Sequence, residues 1–154
     1  MPLEIALYQP DIAPNAATIG RLCACFGLKL IIIEPAGFAF TDRSFRRAGM
    51  DYLEHLVLER AASWQAFHVA NQHRRIVLLS TKAATPYIDF KFEPDDILML
   101  GRESAGVPAA VYQALPHRIR IPMRQGLRSL NVATAASLVA GEALRQLGHF
   151  NTLM

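Results

Sequence analysis

A chain of 154 residues has the usual length of one domain, and 52% hydrophobic with 19% charged residues excludes a disordered or collagen-like polypeptide. We therefore treat residues 1–154 as a single domain with a substantial core. The net charge of +3 is mildly basic, but 13 of the 16 cationic residues are Arg, which binds phosphate bidentately and stacks on bases, so the bias weakly favours an RNA partner.

Short β-rich runs alternate with helical stretches along the whole chain. The predicted strands are Leu3–Gln9, Leu28–Ile33, Leu56–Leu58, Ile76–Leu79, Ile97–Leu100 and His117–Ile121. The predicted helices are Ala16–Phe26, Trp64–Asn71, Ala109–Leu115 and Leu130–Leu147, with Gly27 and Gly148 as C-terminal stops. Several strands are nearly continuous apolar runs, as strands buried on both faces are. The alternation predicts an α/β fold, a parallel sheet flanked by helices.

Two of the predicted helices carry almost no charge. Arg21 is the single charged residue of Ala16–Phe26, and Glu142 is the single charged residue of Val132–Leu144. A helix that is apolar most of the way round is covered on more than one side. The sheet covers one side, and we expect a second copy of the chain to cover the other in a homodimer; the alternative is burial in the subunit's own core.

Three segments follow predicted strands and carry the residues suited to chemistry: Pro10–Arg21, Leu98–Pro108 and Ile121–Gln146. In open α/β sheets, ligands bind in the crevice beyond the carboxyl ends of the strands. We therefore expect the three segments to converge on one site.

The middle segment lacks the glycine signatures of dinucleotide and P-loop sites, which favours a ligand bound without phosphate recognition. Gly101 directly follows an apolar strand, where a glycine allows close approach of the backbone to a flat ligand. Gly106 and Pro108 are predicted to fix the turn before the next helix. Glu103 lies at the exit of the strand, either as a solvated carboxylate or as a group near a nucleophile or cofactor.

The outer segments contribute one helix start each. Ser129 or Asn131 is placed to cap the long C-terminal helix, whose free N–H groups would suit a ligand carboxylate. Asn15 follows Pro14 at the first helix start, and Arg21 lies deeper in that helix. An unpaired buried guanidinium is costly, so we expect Arg21 to contact a phosphate or to pair with a carboxylate such as Glu103 or Glu142.

Other features of the sequence are negative. Cys23 and Cys25 are two positions apart in a predicted helix, so they point to different faces and are not expected to pair. The five histidines show no ligand spacing, and we expect no metal. We find no signal peptide, and the longest uncharged stretch of the C-terminal half, Ser129–Gly141, is too short to span a bilayer, which predicts a cytoplasmic protein with no membrane contact.

Read together, the three segments resemble the conserved motifs of the SPOUT superfamily of knotted methyltransferases, and most closely its TrmL branch, which methylates the ribose of the tRNA wobble nucleotide. The resemblance spans nearly the whole chain. It is carried by Tyr8 and Pro10, Pro14 and Asn15, Arg21–Ala24, Ile33–Pro35 with Gly37 and Phe38, Arg46–Tyr52, Thr81 and Lys82, Gly101–Pro108 and Ile121–Asn131. All three motifs in order, with RRAGMDY between the first two, are far more specific than an isolated G-x-E-x-x-G.

The resemblance implies a C-terminal trefoil knot that holds a bent S-adenosylmethionine, and a homodimer whose active sites borrow residues across the interface. The positions that it assigns to cofactor contact are Leu79, Gly101, Ile121 and Ser129. Met123, with Leu127, would then flank the adenine, or would simply pack in the loop. The positions that it assigns to the reaction centre are Arg21, Glu103, Ser129 and Asn131.

For the tRNA, we expect phosphate contacts from Arg46, Arg47, Lys82 and Arg128, with Asn15 near the RNA; a solvated surface role is the alternative for each cation. The sequence departs from the family at Ala16–Thr18, where Thr-Gly-Asn is frequent. It departs again at Gly141, where close relatives carry Tyr, a change that concerns dimer packing or RNA positioning.

The implied reaction is 2′-O-methylation of nucleotide 34, cytidine or uridine, in tRNA. A guanidinium stays protonated, so we interpret Arg21 as a clamp on the adjacent phosphate and the developing alkoxide, with that phosphate or Glu103 taking the proton. The alternatives are a 2′-O-methyltransferase for another tRNA or rRNA position, a non-catalytic RNA-binding module of the same fold, and a small-molecule α/β enzyme.

Overall fold

A computed structural model of the chain describes residues 3–39 and 54–154. Its strands are β1 (Leu3–Tyr8), β2 (Lys29–Ile33), β3 (Val57–Ala61), β4 (Ile76–Leu79), β5 (Thr85–Pro86), β6 (Asp96–Leu100) and β7 (His117–Arg120). Its α-helices are α1 (Ala13–Phe26), α2 (Trp64–Ala70), α3 (Ala109–Ala114) and α4 (Val132–Gln146). Short 3₁₀ turns span Tyr87–Asp89 and His149–Leu153.

The strands form one seven-stranded sheet in the order β3-β2-β1-β6-β4-β7-β5, and each neighbouring pair is parallel. The predicted parallel α/β sheet is confirmed. The sequence missed β5, because two residues that include Pro86 give no periodic pattern, and proline is tolerated only at a sheet edge. The prediction for β3 was displaced, because this edge strand carries the charged Glu59 and Arg60 in place of an apolar run.

Helices cover both faces of the sheet, and each face has its own core. On one face α1 and α4 pack over side chains such as Ile5, Leu30 and Leu98. On the other face α2 and α3 contribute Phe67 and Val111. Side chains alternate along β1 between the two cores, and the central strands are buried on both faces as their apolar runs predicted.

The helix ends follow local sequence signals. Helix α1 begins at Ala13, three residues earlier than predicted, because Pro14 fits the first turn of a helix. It ends at Gly27, whose φ of 67° is the left-handed conformation expected of a C-terminal glycine. Asn131 caps α4, as predicted, and Gly148 adopts φ 69° just past its end.

The two weakly charged helices cover one another inside the subunit. In α1 the buried side includes Ala16, Ile19 and Cys23, and α4 buries Ala136, Val139, Ala140 and Leu144 against the same core. This packing covers much of the apolar helix surface that we had expected a second copy of the chain to cover. Leu138 remains 44% exposed on the outer side of α4.

The two cysteines are both free. Burial raises the pKa of the Cys23 thiol to about 12, whereas Cys25 is exposed. Within residues 3–39 and 54–154, no helix is both long and apolar enough to cross a bilayer. Among these same residues, no three His, Cys, Asp or Glu side chains cluster as metal ligands would.

Candidate active site

A cavity of about 700 Å³ opens beyond the carboxyl ends of β4, β6 and β7. Its walls come from the loops after these strands and from the starts of α1 and α4. Residues around it include Ile12, Asn15, Leu79, Ser80, Thr81, Lys82, Gly101, Arg102, Glu103, Ser104, Tyr112, Ile121, Met123, Ser129, Leu130 and Asn131. The three segments singled out in the sequence therefore do converge on one crevice, at the sheet edge where α/β proteins bind ligands.

The turn after β6 is closed by its own backbone. The N–H of Arg102 donates to the carbonyl of Gly106 at 2.9 Å, and the N–H of Gly106 donates back to Arg102 at 2.8 Å. A Cβ built on Gly101 would lie 2.7 Å from the carbonyl carbon of Gly106. Position 101 therefore requires glycine because the chain's own turn packs closely against it. From the sequence we had expected this close approach to be made by a ligand.

Glu103 projects from this turn and is half-buried at the cavity wall. Its Oε2 accepts the backbone N–H of Asp11 at 3.0 Å, which ties the turn to the loop between β1 and α1. Burial raises the pKa of the Glu103 carboxyl, and the neighbouring Asp11 carboxyl raises the pKa further. This placement is consistent with our expectation of a carboxylate close to the site.

Asp11 interacts with three consecutive residues of the same turn. Its Oδ2 accepts the Ser104 hydroxyl and lies 3.5 Å from Nη2 of Arg102. A hydrogen bond donated by a protonated Glu103 would lower the pKa of Asp11, and Ser104 and Arg102 lower it further against the opposing effect of burial. The other oxygen, Oδ1, is buried and has no hydrogen-bond partner among the described residues, and the same holds for Nε of Arg102.

The start of α4 is joined to α1 by two asparagines. Oδ1 of Asn131 accepts the backbone N–H groups of Ala133 at 2.8 Å and Thr134 at 3.2 Å. Nδ2 of Asn131 donates to Oδ1 of Asn15 at 3.0 Å. Asn131 is one of the two caps that we predicted, and because its side chain occupies two N–H groups, fewer of them remain for the ligand carboxylate that we also expected there.

Lys82 and Tyr112 also line the cavity. The Tyr112 hydroxyl donates to the backbone carbonyl of Lys82 at 3.2 Å, and the Arg118 guanidinium carbon lies 4.3 Å from the centre of the Tyr112 ring. These contacts hold the loop after β4 against α3. The aliphatic or thioether side chains of Leu79, Ile121 and Met123 complete an apolar part of the cavity.

Residues 2–141 match the SpoU rRNA Methylase family. The chain belongs to the SpoU methylase family. The match covers the first two segments and residues 121–141 of the third, and it includes all the described lining of the cavity, so the cavity is the candidate active site of a SpoU methylase.

Relatives of known structure or name agree with this assignment. The chain is 58% identical, over 97% of its length and 95% of the relative's, to a tRNA (cytidine(34)-2'-O)-methyltransferase of Beijerinckia indica. A structure solved for the 2-OH methylation of C/U34 on tRNA superposes with a TM-score of 0.91 at 36% identity, covering 95% of this chain and 96% of that one. The SpoU methyltransferase AviRb from Streptomyces viridochromogenes, in complex with AdoMet, shares the fold with a TM-score of 0.85 at 24% identity, covering 93% of this chain and 57% of that chain.

Most of the site residues predicted from the sequence line the cavity of this SpoU methylase. The predicted residues found there are Asn15, Leu79, Lys82, Gly101, Glu103, Ile121, Met123, Ser129 and Asn131. Arg21 and Arg128 are exposed and are not among the described lining residues. Arg46 and Arg47 lie outside the described residues.

The two carboxylates suggested as partners of Arg21 each contact another residue. Glu103 bonds to Asp11, and Glu142 accepts bonds from Arg145 at 2.9–3.2 Å on the surface of α4. Arg21 is exposed, whereas the sequence treated it as a guanidinium buried in an apolar helix.

Sequence reasoning missed Asp11, Arg102, Ser104 and Tyr112. A signal for Asp11 was available, because a carboxylate that directly follows the carboxyl end of a buried central strand lies at the ligand-binding edge of the sheet. The interaction of Asp11 with the second segment depends on β1 and β6 being neighbours, and the order of the strands cannot be read from the alternation of elements.

Proposed function

We propose that the chain is an S-adenosylmethionine-dependent methyltransferase that methylates the ribose 2′-hydroxyl of the wobble nucleotide, position 34, in tRNA. The observation that carries the proposal is the single cavity formed by the three family segments, with Glu103 in its wall. Relatives that match this chain over nearly all of both lengths are named for that reaction. Cytidine and uridine are both candidate nucleotides, as in the related solved structure.

The cavity is compatible with the proposed cofactor. Its volume of about 700 Å³ is within the usual range for sites of cofactor size. Leu79, Ile121 and Met123 offer apolar surface for the adenine, while Gly101 and Ser129 bring backbone polar groups to the wall. S-adenosylmethionine, held there, supplies an electrophilic methyl group.

The protein must deprotonate or polarise a very weak acid, the ribose hydroxyl, while its oxygen is held in line for transfer. We assign proton acceptance to Glu103, with the substrate's adjacent phosphate as the alternative acceptor. Arg21 clamps that phosphate and the developing alkoxide, because a guanidinium cannot serve as a base. Asn131 positions the start of α4 and orients Asn15 toward the RNA.

We infer that the enzyme works as a homodimer with a C-terminal trefoil knot. Leu138 and Arg21 are exposed on α4 and α1, the helices that cover one face of the sheet, and a second subunit docked there would bring Arg21 toward a cavity that it does not line within its own chain. Light scattering coupled to size-exclusion chromatography tests the assembly, and a monomer at micromolar concentration would contradict it.

The tRNA is proposed to lie across the cavity mouth. Lys82, Arg128, Arg46 and Arg47 are the assigned phosphate contacts, with Asn15 close to the substrate. We place the reaction in the cytoplasm, where a tRNA substrate would be met and where both cysteines would stay reduced.

Methyl transfer from labelled cofactor to bulk tRNA tests the proposal, followed by mapping of the methylated nucleotide on tRNA from cells that lack the protein. We expect label at ribose 34, and the mapping identifies the tRNA species and whether cytidine and uridine are both accepted. Methylation elsewhere in tRNA or in rRNA would replace the substrate assignment. RNA binding without any transfer would leave a non-catalytic module.

A further inference from the structure

We propose that Asp11 is a positioning residue for the transfer, that its carboxyl group and that of Glu103 form an acid pair holding one proton, and that Arg102 sets the pH at which this proton leaves. The inference rests on the proposed function through one assignment, Glu103 as the proton acceptor. It adds two residues, Asp11 and Arg102, that the reaction does not otherwise use.

The first support is the hydrogen bonding of Asp11 to the turn after β6. The Asp11 N–H donates to Oε2 of Glu103 at 3.0 Å, and its carboxylate accepts the Ser104 hydroxyl. Arg102 reaches the same carboxylate oxygen, with 3.5 Å between Nη2 and Oδ2. Three consecutive residues, 102–104, thus converge on one aspartate from a different segment of the chain.

The second support is the fixed backbone of Asp11. The N–H of Gly37 donates to the carbonyl of Pro10 at 2.8 Å, and a Cβ on Gly37 would lie 2.9 Å from Cα of Asp11. The loop before α1 is therefore held between the Gly37 loop and the turn that carries Glu103. An aspartate held in this way cannot swing out to solvent without breaking these contacts.

The third support is a buried oxygen that lacks a donor. Among the described residues, Oδ1 of Asp11 has no hydrogen-bond partner, and a buried acceptor of this kind is costly. A proton held between the two carboxyl groups would supply the missing donor. Consistent with this placement, burial and the neighbouring Asp11 carboxyl raise the pKa of Glu103, while a bond donated by a protonated Glu103 would lower the pKa of Asp11.

The charges around the pair are few. Arg102 is the cation at Asp11, and Lys82 and Tyr112 are the other titratable residues among the described lining of the cavity. Glu103 accepts a proton only after the pair has lost the one that it shares. The O–H bond of the ribose then breaks and its proton joins Glu103. The ribose oxygen forms a bond to the methyl group of S-adenosylmethionine as the bond between that methyl group and the sulfur breaks, and S-adenosylhomocysteine would leave, so that no further acid or base is required.

The test measures kcat/KM as a function of pH. The acid limb of this profile reports ionisation in the free enzyme. In Asp11→Asn the neighbouring negative charge is gone, Glu103 ionises more easily, and the limb is expected to move down by about one pH unit. In Arg102→Gln the doubly ionised pair loses its cation, and the limb is expected to move up by a comparable amount. Arg102→Lys, which keeps the charge, is the matched control and should stay near the wild-type limb.

A second readout does not need turnover. Carboxyl-carbon NMR titration of the cofactor-free protein, with the Glu103 signal assigned through Glu103→Gln, should show the same opposite shifts in the two variants. Binding of S-adenosylhomocysteine and thermal melting confirm that each variant is folded.

The outcomes separate the two proposals. If both variants lose rate with no movement of either the limb or the Glu103 titration, or if both move in the same direction, the acid pair is wrong while the methyltransferase assignment stands. If wild-type protein transfers no methyl group but the NMR titrations shift oppositely, the pair exists and the proposed function fails.

Discussion

Nδ2 of Asn131 donates a hydrogen bond to Oδ1 of Asn15 at 3.0 Å, which links two segments that are 116 residues apart. The orientation of the Asn131 amide is fixed by its other contacts, because Oδ1 accepts the N–H groups of Ala133 and Thr134 and must face the helix. One side chain therefore caps α4 and holds the start of α1 at the cavity.

These two roles of Asn131 are separable by substitution. Asn131→Asp keeps an N-cap acceptor of similar strength but cannot donate to Asn15, so the free energy of unfolding should stay within about 0.5 kcal/mol of wild type. Asn131→Ala loses the cap as well and should cost about 1 kcal/mol. Chemical denaturation measures both. If the Asp and Ala variants were equally destabilised, the cap would not be the stabilising contact.

Methyl transfer gives the complementary readout for the same pair. Asn15→Ala leaves the cap untouched, so it should lower transfer as Asn131→Asp does while leaving the unfolding free energy within about 1 kcal/mol of wild type. Combining the two changes should add little to the loss of rate, because both remove one interaction. Fully additive losses would show that the two asparagines act independently.

Two glycines of the family segments should respond oppositely to alanine. At Gly101 a Cβ would lie 2.7 Å from the carbonyl carbon of Gly106, whereas at Gly141 a Cβ would meet no described atom within 4 Å apart from the adjacent residues and backbone of its own helix. We expect Gly101→Ala to destabilise the fold by about 1–3 kcal/mol through overpacking and to weaken cofactor binding. Gly141→Ala should stabilise α4 by about 0.5–1 kcal/mol, since glycine in a helix is entropically unfavourable.

Thermal melting and calorimetry with S-adenosylhomocysteine measure these effects, and each glycine variant serves as the control for the other. Unchanged cofactor affinity in Gly101→Ala would contradict a role of the closed turn in the site. Dissociation of an oligomer by Gly141→Ala, seen by light scattering, would show that a partner approaches this open face.

The fold was largely predictable because its signals are local. Strand patterns predicted five of the seven strands, namely β1, β2, β4, β6 and β7, and Gly27 ended α1 where a left-handed residue was needed. The predictions failed at the two edge strands: β3 was displaced and β5 was missed. An edge strand can carry charged residues and proline, which a buried strand cannot. The covering of α1 by α4 was also missed, since periodicity shows that a helix is apolar and does not show what packs against it.

The site was predictable as a set of segments and less so as a set of contacts. Strand ends placed Glu103, Gly101 and Asn131 at one edge, and the cavity confirms that they share a wall. The contact of Glu103 with Asp11 depends on the neighbouring positions of β1 and β6, which a sequence pattern does not encode. The cap of α4 by Asn131 was predicted, but its hydrogen bond to Asn15 was not, because that contact depends on how α1 and α4 are placed.

Arg21 is expected to act on substrate and not on cofactor, because it is exposed on α1 and is not among the described lining residues of the cavity. Arg21→Ala should reduce turnover by at least about 100-fold, in line with loss of one charge-stabilising group. Calorimetry should find S-adenosylhomocysteine binding within about twofold of wild type. Arg21→Lys retains charge but not the bidentate fork and should recover activity only in part. Loss of cofactor affinity in Arg21→Ala would refute the clamp.

Lys82 lies at the cavity wall and is assigned to a tRNA phosphate, a contact whose signature is salt dependence. Each phosphate contact removed should reduce the slope of log K against log salt by about 0.7–0.9, because one fewer counterion is released on binding. Lys82→Ala should therefore bind tRNA more weakly than wild type at 50 mM salt. The difference in affinity should shrink as the salt concentration rises. Lys91 provides the matched control, because it lies far from the cavity. Its backbone carbonyl accepts a hydrogen bond from Arg75, just before the amino end of β4, whereas the cavity lies beyond the carboxyl ends of the strands. Filter binding of both variants across a salt series measures the slopes. An equal slope for Lys82→Ala and Lys91→Ala would show that Lys82 is a solvated surface residue, and the RNA path would then lie elsewhere on the cavity mouth.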